Sequence, residues 1–199
     1  MEAMTELKSQ GKIRSYGVSN FGVTQMEEAL ATGAEIDTNQ ITYNIFSRAI
    51  EHAILPFCVQ HNISVIGTMT LQQGLLTGAF TSAEQLPPNQ RESRHFHIYG
   101  NEGAEKEIFE ALVRLKEVAA EAGCSLPQLA VAWALCRRGI AASLIGSRST
   151  AELEENLRAA EVTLSKDVIA QIDEISRPVL DRLGGSPDFY RSGENSRIF

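Results

Sequence analysis

The sequence predicts an α/β domain in which parallel strands alternate with helices. Short runs rich in apolar and β-branched residues alternate along the chain with longer segments of helical periodicity. Ser and Thr residues at helix-start positions and glycines at helix ends separate these segments. Because no low-complexity linker interrupts the 199 residues, we expect a single domain over residues 1–199. Its last part, residues 176–199, is rich in Gly, Pro and Ser and is expected to be an irregular tail.

Four strands are predicted, at residues 13–19, 36–41, 63–68 and 141–145. Helices are predicted at residues 2–10, 24–32, 49–61, 104–123, 125–136, 149–160 and 165–175. Thr24 with Glu27, and Ser149 with Glu152, have the spacing of capping boxes, and Pro56 is expected to kink or split its helix. Residues 70–103 show weak periodicity, and a loop of that length is usually functional or mobile.

The bulk composition excludes several classes of function. A formal net charge of -7 and the lack of a basic stripe argue against nucleic-acid binding. No apolar run reaches the roughly 18 residues needed to cross a bilayer, and the N-terminus is unlike a signal peptide. Cys58, Cys124 and Cys136 form no C-x-x-C pair, so we expect buried thiols in a reducing, cytoplasmic protein rather than a disulfide or a metal site.

Two folds are compatible with alternating strands and helices. A doubly wound dinucleotide-binding fold requires G-x-G-x-x-G after an early strand, and the sequence lacks it. A (β/α)8 TIM barrel instead concentrates function just beyond the strand ends. All four predicted strands end in polar groups: Ser19-Asn20, Asn39-Gln40, Thr68-Met69-Thr70 and Gly146-Ser147-Arg148. The sequence therefore favours a partial barrel of about four parallel strands with two unpaired edges, which we expect to seek a partner.

Four segments resemble the aldo-keto reductase family in order and spacing. Gly11 to Phe21 resembles G-K-I-R-x-x-G-V-S-N-F, and Gln40 to Asn44 resembles Q-x-x-Y-N. Residues 71–78 resemble the family's P-L-x-x-G-L-L-T-G, and residues 144–156 resemble its final strand and cofactor loop. The resemblance implies a (β/α)8 barrel that reduces aldehydes and ketones with NADP(H), with NAD(H) as the alternative cofactor. This chain would then be the truncated, C-terminal half.

The resemblance also implies which residues contact the cofactor. Ser19, Asn20 and Gln40 would hydrogen-bond the nicotinamide carboxamide, although strand-end capping is the simpler interpretation of these side chains. The remaining contacts that the resemblance implies are Thr68 at the nicotinamide, Leu71, Gln73 and Gly74 along the pyrophosphate, and Gly146, Ser147, Arg148, Glu152 and Asn156 around the adenosine and its phosphate.

The sequence departs from the family in three ways. The family's catalytic Asp, Tyr, Lys and His lie on its first four strands, so no catalytic residue is assigned and the chain alone is expected to be inactive. Thr68 stands where the family usually has an aromatic residue that stacks on the nicotinamide. Glu152 stands where many relatives carry Arg or Gln near the 2′-phosphate, and it either disfavours NADP(H) or only caps a helix.

Two functional hypotheses follow from this comparison. In the first, the chain is the cofactor-binding half of an NAD(P)H-dependent reductase whose complete form takes a small carbonyl substrate. In the second, it is a non-catalytic nucleotide-binding or interaction half-barrel that pairs with itself or with a separate N-terminal half. His95 and His97 lack further ligands at metal-binding spacing, so we expect them, with Arg91 and Arg94, to shape a substrate-side loop.

Overall fold

The computed structural model describes residues 1–91, 93, 95–98, 101–188, 191 and 196–199. The strands are β1 (Gly17–Ser19), β2 (Thr38–Thr42), β3 (Ser64–Thr68), β4 (His97–Ile98), β5 (Asn101–Glu102) and β6 (Ile140–Ser143). The α-helices are α1 (Glu2–Ser9), α2 (Val23–Ala31), α3 (Ile54–Gln60), α4 (Pro88–Arg91), α5 (Glu105–Glu121), α6 (Leu126–Leu135), α7 (Thr150–Leu157) and α8 (Lys166–Leu183). Short 3-10 helices lie at Ala49–Glu51, Gln72–Thr77, Ala83–Gln85 and Arg158–Glu161.

Four of the strands form one parallel sheet in the order β1-β2-β3-β6. Each crossover between neighbouring strands carries at least one helix, as parallel pairing requires. Within the part of the chain that the structure describes, β1 and β6 each pair on one side only. The prediction of a partial (β/α)8 barrel with four parallel strands and flanking helices is therefore confirmed.

The register divides the sheet into a buried face and an open face. Val18, Asn39, Val65 and Ile140 lie in one row across the sheet, and this row packs against the helices. The neighbouring row contains Ser19, Gln40 and Ile66 on the opposite face, where Ser19 and Gln40 are exposed. Because side chains alternate along a strand, the polar residues at the strand ends are directed to the open face.

The hydrophobic core lies between the buried face of the sheet and the helices. The helix predicted at 104–123 forms as α5, and its apolar residues at helical spacing are buried at six positions, which are Ile108, Ala111, Leu112, Leu115, Val118 and Ala119. α8 packs against α5, and α6 lies between the sheet and α7 with Trp133 at 0% exposure. By contrast, every residue of α1 and of α7 is at least partly exposed.

The ends of three elements differ from the sequence-based predictions. α2 begins at Val23, and the Gln25 side chain accepts the Gly22 amide at 2.9 Å, so Thr24 and Glu27 do not form the predicted box. The helix predicted at 49–61 is split, as expected, but the break falls at residues 52–53, ahead of Pro56. Proline is tolerated there because it lies in the first turn of α3, where the amide has no partner within the helix.

The tail predicted at 176–199 begins later than expected. α8 continues through Pro178 to Leu183, because Ile175, Val179 and Leu183 extend its buried stripe. Burial of that stripe outweighs the one intrahelical hydrogen bond that the proline removes.

Residues 70–103 also contain more structure than the weak periodicity indicated. Beside the 3-10 turns, α4 and the β4-β5 hairpin, this stretch buries Leu75, Leu76, Leu86 and Phe96 in the main core. In the described part of the chain, no single helix is long and apolar enough to cross a bilayer. α5 and α6 reach that length and composition only together, with an 87° bend between them.

Candidate functional site

The ends of β1 and β2 bring the first group of predicted cofactor contacts together. The Ser19 hydroxyl donates to the backbone carbonyl of Gln40 at 3.2 Å, and the backbone amide of Asn20 donates to the same oxygen at 2.9 Å. The Asn20 side chain in turn donates to the Ser19 hydroxyl at 3.3 Å. All three residues are exposed, so hydroxyl and carboxamide groups are presented together on the open side of the sheet.

A cleft of about 390 Å³ opens beside this group. Its walls include Ser19 and Asn20 from the end of β1, and Thr68 and Met69 from the end of β3. Residues that sequence reasoning did not assign to the site complete it: Phe21, Gln25, Thr42, Asp188, Arg197 and Ile198. The other predicted contacts, among the described residues, lie outside the lining of this cleft.

The chain after β3 has an unusual backbone. Met69, Gln72 and Gln73 have φ values of 54°, 48° and 53°, and Gly74 follows at 99°. A residue with a side chain in this left-handed region costs on the order of 1–3 kcal/mol. Five described residues other than glycine have a positive φ, and Asn20, Met69, Gln72 and Gln73 all lie just beyond strand ends. Such clustering of strain at one edge of a sheet is typical of a ligand-binding site.

The residues of this loop differ in their exposure to solvent. Leu71, Gln73 and Gly74, the predicted pyrophosphate contacts, are all partly exposed, whereas Gln72 is 1% exposed. The Gln72 side chain accepts hydrogen bonds from Asn44 at 2.6 Å and from Ser47 at 3.2 Å. Sequence reasoning missed Gln72 and Asn44, although Asn44 belongs to the Gln40–Asn44 motif.

The loop after β6 holds the last group of predicted contacts. Gly146, Ser147 and Arg148 are exposed, and the Asn156 side chain donates to the Ser147 hydroxyl at 3.0 Å. The Thr70 hydroxyl donates to the Leu144 carbonyl at 3.2 Å, which joins this loop to the end of β3.

The Glu152 carboxylate lies at the start of α7, next to Arg148. It accepts the Arg148 amide at 2.7 Å and the Arg148 guanidinium at 2.9 Å. These hydrogen bonds lower the pKa of Glu152, and the guanidinium–carboxylate bond together with the carboxylate charge raises the pKa of Arg148. Ser149 caps α7 by accepting the Glu152 amide at 3.2 Å, so the serine half of the predicted box is confirmed. The predicted bond from the Ser149 amide to the Glu152 carboxylate is wrong, because that carboxylate bonds to Arg148 instead.

A second polar cluster lies behind the sheet, against α6 and α8. Tyr43 stacks on Trp133 with 5.3 Å between ring centres and donates to Glu51 at 2.7 Å. Arg48 bonds to Glu51, and Asp173 accepts the Trp133 indole N–H at 2.9 Å. Burial, followed by the nearby Glu51 charge, raises the pKa of Tyr43 above its usual range. The phenol therefore stays protonated and links helices to the sheet.

The histidine loop is only partly described. His95 is 3% exposed, and its Nε2 lies 3.1 Å from the Ser47 hydroxyl and 3.3 Å from the Phe46 carbonyl oxygen. Arg91 donates to the Glu84 carbonyl. Arg94, Gly100 and the His97 side chain lie outside the described residues. Among the residues that are described, no group of three or more His, Cys, Asp or Glu is arranged to hold a metal ion.

Comparison with known proteins relates this geometry to a family. The model of the Aldo/keto reductase family matches residues 1–177. The NADH-specific methylglyoxal reductase of Escherichia coli (strain K12) is 32% identical over 162 residues, which cover 81% of this chain and 48% of that protein. The aldo-keto reductase YhdN of Bacillus subtilis (strain 168) is 33% identical over 190 residues, covering 94% of this chain and 56% of that protein.

Solved structures agree with this match. The glycerol dehydrogenase of Gluconobacter oxydans superposes with a TM-score of 0.75 at 27% identity, covering 96% of this chain and 56% of that one. A thermostable aldo-keto reductase in complex with the inhibitor epalrestat gives 0.65 at 26% identity, covering 87% and 53%. The chain spans about half the length of the relatives it matches. Because the family model extends over most of its residues, the chain belongs to the aldo/keto reductase family.

Proposed function

We propose that the chain is the cofactor-binding, C-terminal half of an NAD(P)H-dependent aldo-keto reductase, an oxidoreductase that converts a carbonyl to an alcohol. The observation that carries the proposal is the convergence of Ser19, Asn20 and Thr68 on one cleft at the ends of parallel strands. In a (β/α)8 barrel this is the end where active sites form. The four-stranded parallel sheet and the coverage of about half of each relative support the assignment to one half of such a barrel.

The residues at the ends of β1 and β2 have chemistry suited to a nicotinamide. A bound nicotinamide supplies the hydride that reduces the carbonyl carbon. The carboxamide of that ring both donates and accepts, and so do the Ser19 hydroxyl and the Asn20 and Gln40 side chains. Hydrogen bonds from this cluster would fix which face of the ring points at the substrate, a positioning role that accounts for much of enzymatic rate enhancement.

One feature of the cleft fits a nicotinamide less well. Thr68 offers no aromatic face for stacking, and the apolar side chains that line the cleft are those of Phe21, Met69 and Ile198. A methionine thioether makes favourable contacts with aromatic rings, so Met69 is the residue we expect against the nicotinamide. We therefore expect weaker cofactor binding than a stacking aromatic would give.

The start of α7 bears on the choice between the two cofactors. The resemblance assigns Arg148 to the adenosine phosphate, and the Glu152 carboxylate already accepts from its guanidinium and its backbone amide. A 2′-phosphate would have to displace or approach that carboxylate, whereas the 2′-hydroxyl of NAD(H) can donate to it. We therefore propose that NAD(H) binds at least as tightly as NADP(H). The relative named as NADH-specific is consistent with this preference.

The proposed substrate of the complete enzyme is a small carbonyl compound, since one relative is named a methylglyoxal reductase and a solved neighbour a glycerol dehydrogenase. No residue here matches the family's catalytic Asp, Tyr, Lys and His, so we propose that this chain alone does not turn over substrate. Its three cysteines are all free, which supports the expectation of a reducing, cytoplasmic location.

Two assays on the purified 199-residue chain test this proposal. Isothermal titration with NADH and NADPH should give saturable binding that weakens in Arg148→Ala and Asn20→Ala. Oxidation of either cofactor with methylglyoxal should stay at the background rate. Absence of binding would contradict the proposed cofactor role, and measurable turnover would contradict the absence of a catalytic set.

A second candidate is a non-catalytic half-barrel that pairs with a copy of itself or with a separate N-terminal half. Its support is the exposed apolar surface beside β6, where Leu144, Leu153 and Leu157 are 48%, 47% and 62% exposed. Burial of such surface favours association. Light scattering during size-exclusion chromatography distinguishes the candidates: a stable dimer without dinucleotide binding favours the second, and a monomer that binds dinucleotide favours the first.

A further inference from the structure

We propose that Asn44 is a positioning residue for the cofactor: with Gln72, it holds the loop after β3 in the shape that receives the pyrophosphate. The proposal rests on the cofactor role proposed above. Asn44 is 0% exposed and lies two residues beyond β2, so its side chain reaches the cofactor only through the loop that it contacts.

Both polar atoms of the Asn44 side chain form hydrogen bonds: Oδ1 bonds within the turn of Asn44 itself, and Nδ2 bonds to the loop after β3. Its Oδ1 accepts the Phe46 amide at 2.9 Å, which fixes the turn in which Asn44 itself lies. Its Nδ2 donates to the Met69 carbonyl at 2.8 Å and to Gln72 Oε1 at 2.6 Å. A carboxamide supplies two donors and one acceptor at this position, whereas a carboxylate of the same shape supplies acceptors only.

The two groups that receive these bonds belong to the strained part of the backbone. Met69 and Gln72 both have left-handed φ values, and Gln73 and Gly74 continue that conformation. Strain of this kind persists only where surrounding contacts over-determine the conformation. The backbone amide of Gln72 also donates to the Met69 carbonyl at 2.7 Å, so Met69 and Gln72 are the two ends of a single tight turn. Asn44 bonds to both of these ends.

Further contacts extend this support on the buried side of the turn. Ser47 donates to Gln72 Oε1 at 3.2 Å, and the Ser47 hydroxyl lies 3.1 Å from His95 Nε2. Gln72 is therefore held from inside the protein, while Leu71, Gln73 and Gly74 remain partly exposed on the outside. The proposed pyrophosphate contacts are thus the outer side of a turn whose inner side is fixed by a buried asparagine.

The test compares the full chain with the Asn44→Asp, Gln72→Met and Asn62→Ala variants. Asn44→Asp removes both donors with little change of shape, and Gln72→Met removes the shared acceptor, so either variant tests the same contact if the other fails to fold. Asn62→Ala is the matched control, because Asn62 also has a left-handed φ, of 56°, but is exposed and lies at the opposite end of β3. Each protein is titrated with NADH and, by NMR, with adenosine, and amide hydrogen exchange is measured over residues 69–74 without ligand.

We expect Asn44→Asp and Gln72→Met to lower the affinity for NADH by about tenfold, the usual effect of losing one buried hydrogen bond to a positioned group. Exchange over residues 69–74 should rise, and adenosine affinity should stay within about twofold, because the loop after β6 is intact. NADH affinity equal to that of Asn62→Ala would overturn the inference while leaving the proposed function in place. Equal losses for NADH and adenosine would also overturn it, since they would indicate a general defect in the fold. A wild-type chain that binds no NADH would overturn the proposed function itself, and the inference with it.

Discussion

The Asn39→Ala substitution should both destabilise the protein and weaken cofactor binding. Asn39 is 0% exposed on the buried face of β2, and its side chain clamps the backbone of Phe21. It donates to the Phe21 carbonyl at 2.9 Å and accepts the Phe21 amide at 3.4 Å. Phe21 directly follows Asn20, so this clamp holds the end of β1 where the proposed nicotinamide contacts lie.

The expected loss of stability can be estimated from these contacts. The 2.9 Å hydrogen bond contributes about 1 kcal/mol, and the longer one contributes less. Truncation also leaves two Phe21 backbone groups without a side-chain partner and a small cavity beside Met26, which adds on the order of 1 kcal/mol. We therefore expect the free energy of unfolding to fall by about 2–3 kcal/mol.

Urea denaturation followed by fluorescence measures this loss. Trp133 is the single tryptophan of the chain and is fully buried, so its emission reports unfolding. The control is again Asn62→Ala, an exposed position where alanine in a left-handed conformation costs roughly 1–2 kcal/mol. An Asn39→Ala loss no larger than that of the control would refute the reasoning. Unchanged NADH affinity in a clearly destabilised variant would refute only the link from the clamp to the cofactor site.

Three further predictions concern separate parts of the molecule. Glu152→Gln removes the carboxylate paired with Arg148, so the ratio of NADPH affinity to NADH affinity, measured by calorimetric titration, should rise. An unchanged ratio would show that the Arg148–Glu152 pair does not set cofactor preference. Gly17→Ala should lower the melting temperature measured by circular dichroism. The alanine Cβ would lie 2.0 Å from Thr38 Oγ1, and the strain of such overpacking is about 1–3 kcal/mol. An unchanged melting temperature would contradict the close pairing of β1 and β2. Burial raises the pKa of the Cys58 thiol from 9.0 to about 11, so the folded state holds this proton more tightly than the unfolded state. The free energy of unfolding should therefore be unchanged below pH 9 and fall as the pH rises from 9 to 11. Cys58→Ala should reduce the size of that fall. Equal slopes of the urea midpoint against pH in the wild-type chain and in Cys58→Ala would contradict this prediction.

The features that depend on local sequence were predictable. The stripe of α5 recurs at helical spacing, and all of its predicted positions are buried. The caps at Ser125 and Ser165 were also predictable, because a serine hydroxyl acts on an amide three residues away. The parallel arrangement of the four strands followed from the alternation of strands with helices.

The errors arise where distant parts of the chain meet. The start of α2 was placed wrongly because Gln25 bonds both Gly22 and the backbone of Phe199, a partner 174 residues away. Likewise, the tail residues Arg197 and Ile198 line the cleft, and no local pattern places them beside β1. Such contacts depend on tertiary packing, which composition and periodicity do not encode.

The same limit applies to the candidate site. The strand-end motifs located Ser19, Asn20 and Gln40, because barrel topology alone directs those positions to one edge. They assigned Gln73 to the pyrophosphate and gave Gln72 no role. Only the left-handed backbone turns Gln72 into the protein and leaves Gln73 outside. The proposed role of Asn44 follows from that turn and could not be derived without it.

The most direct test of the cofactor site is NMR mapping of NAD⁺ binding to the whole chain. We predict that backbone amide shifts change on titration at the ends of β1 and β2, over residues 69–74 and over residues 146–156. Asn62 and the C-terminal end of α3 next to it, at the opposite edge of the sheet, should not respond. Shifts confined to any other surface, or none at saturating NAD⁺, would contradict a nicotinamide cofactor site at the ends of these parallel strands.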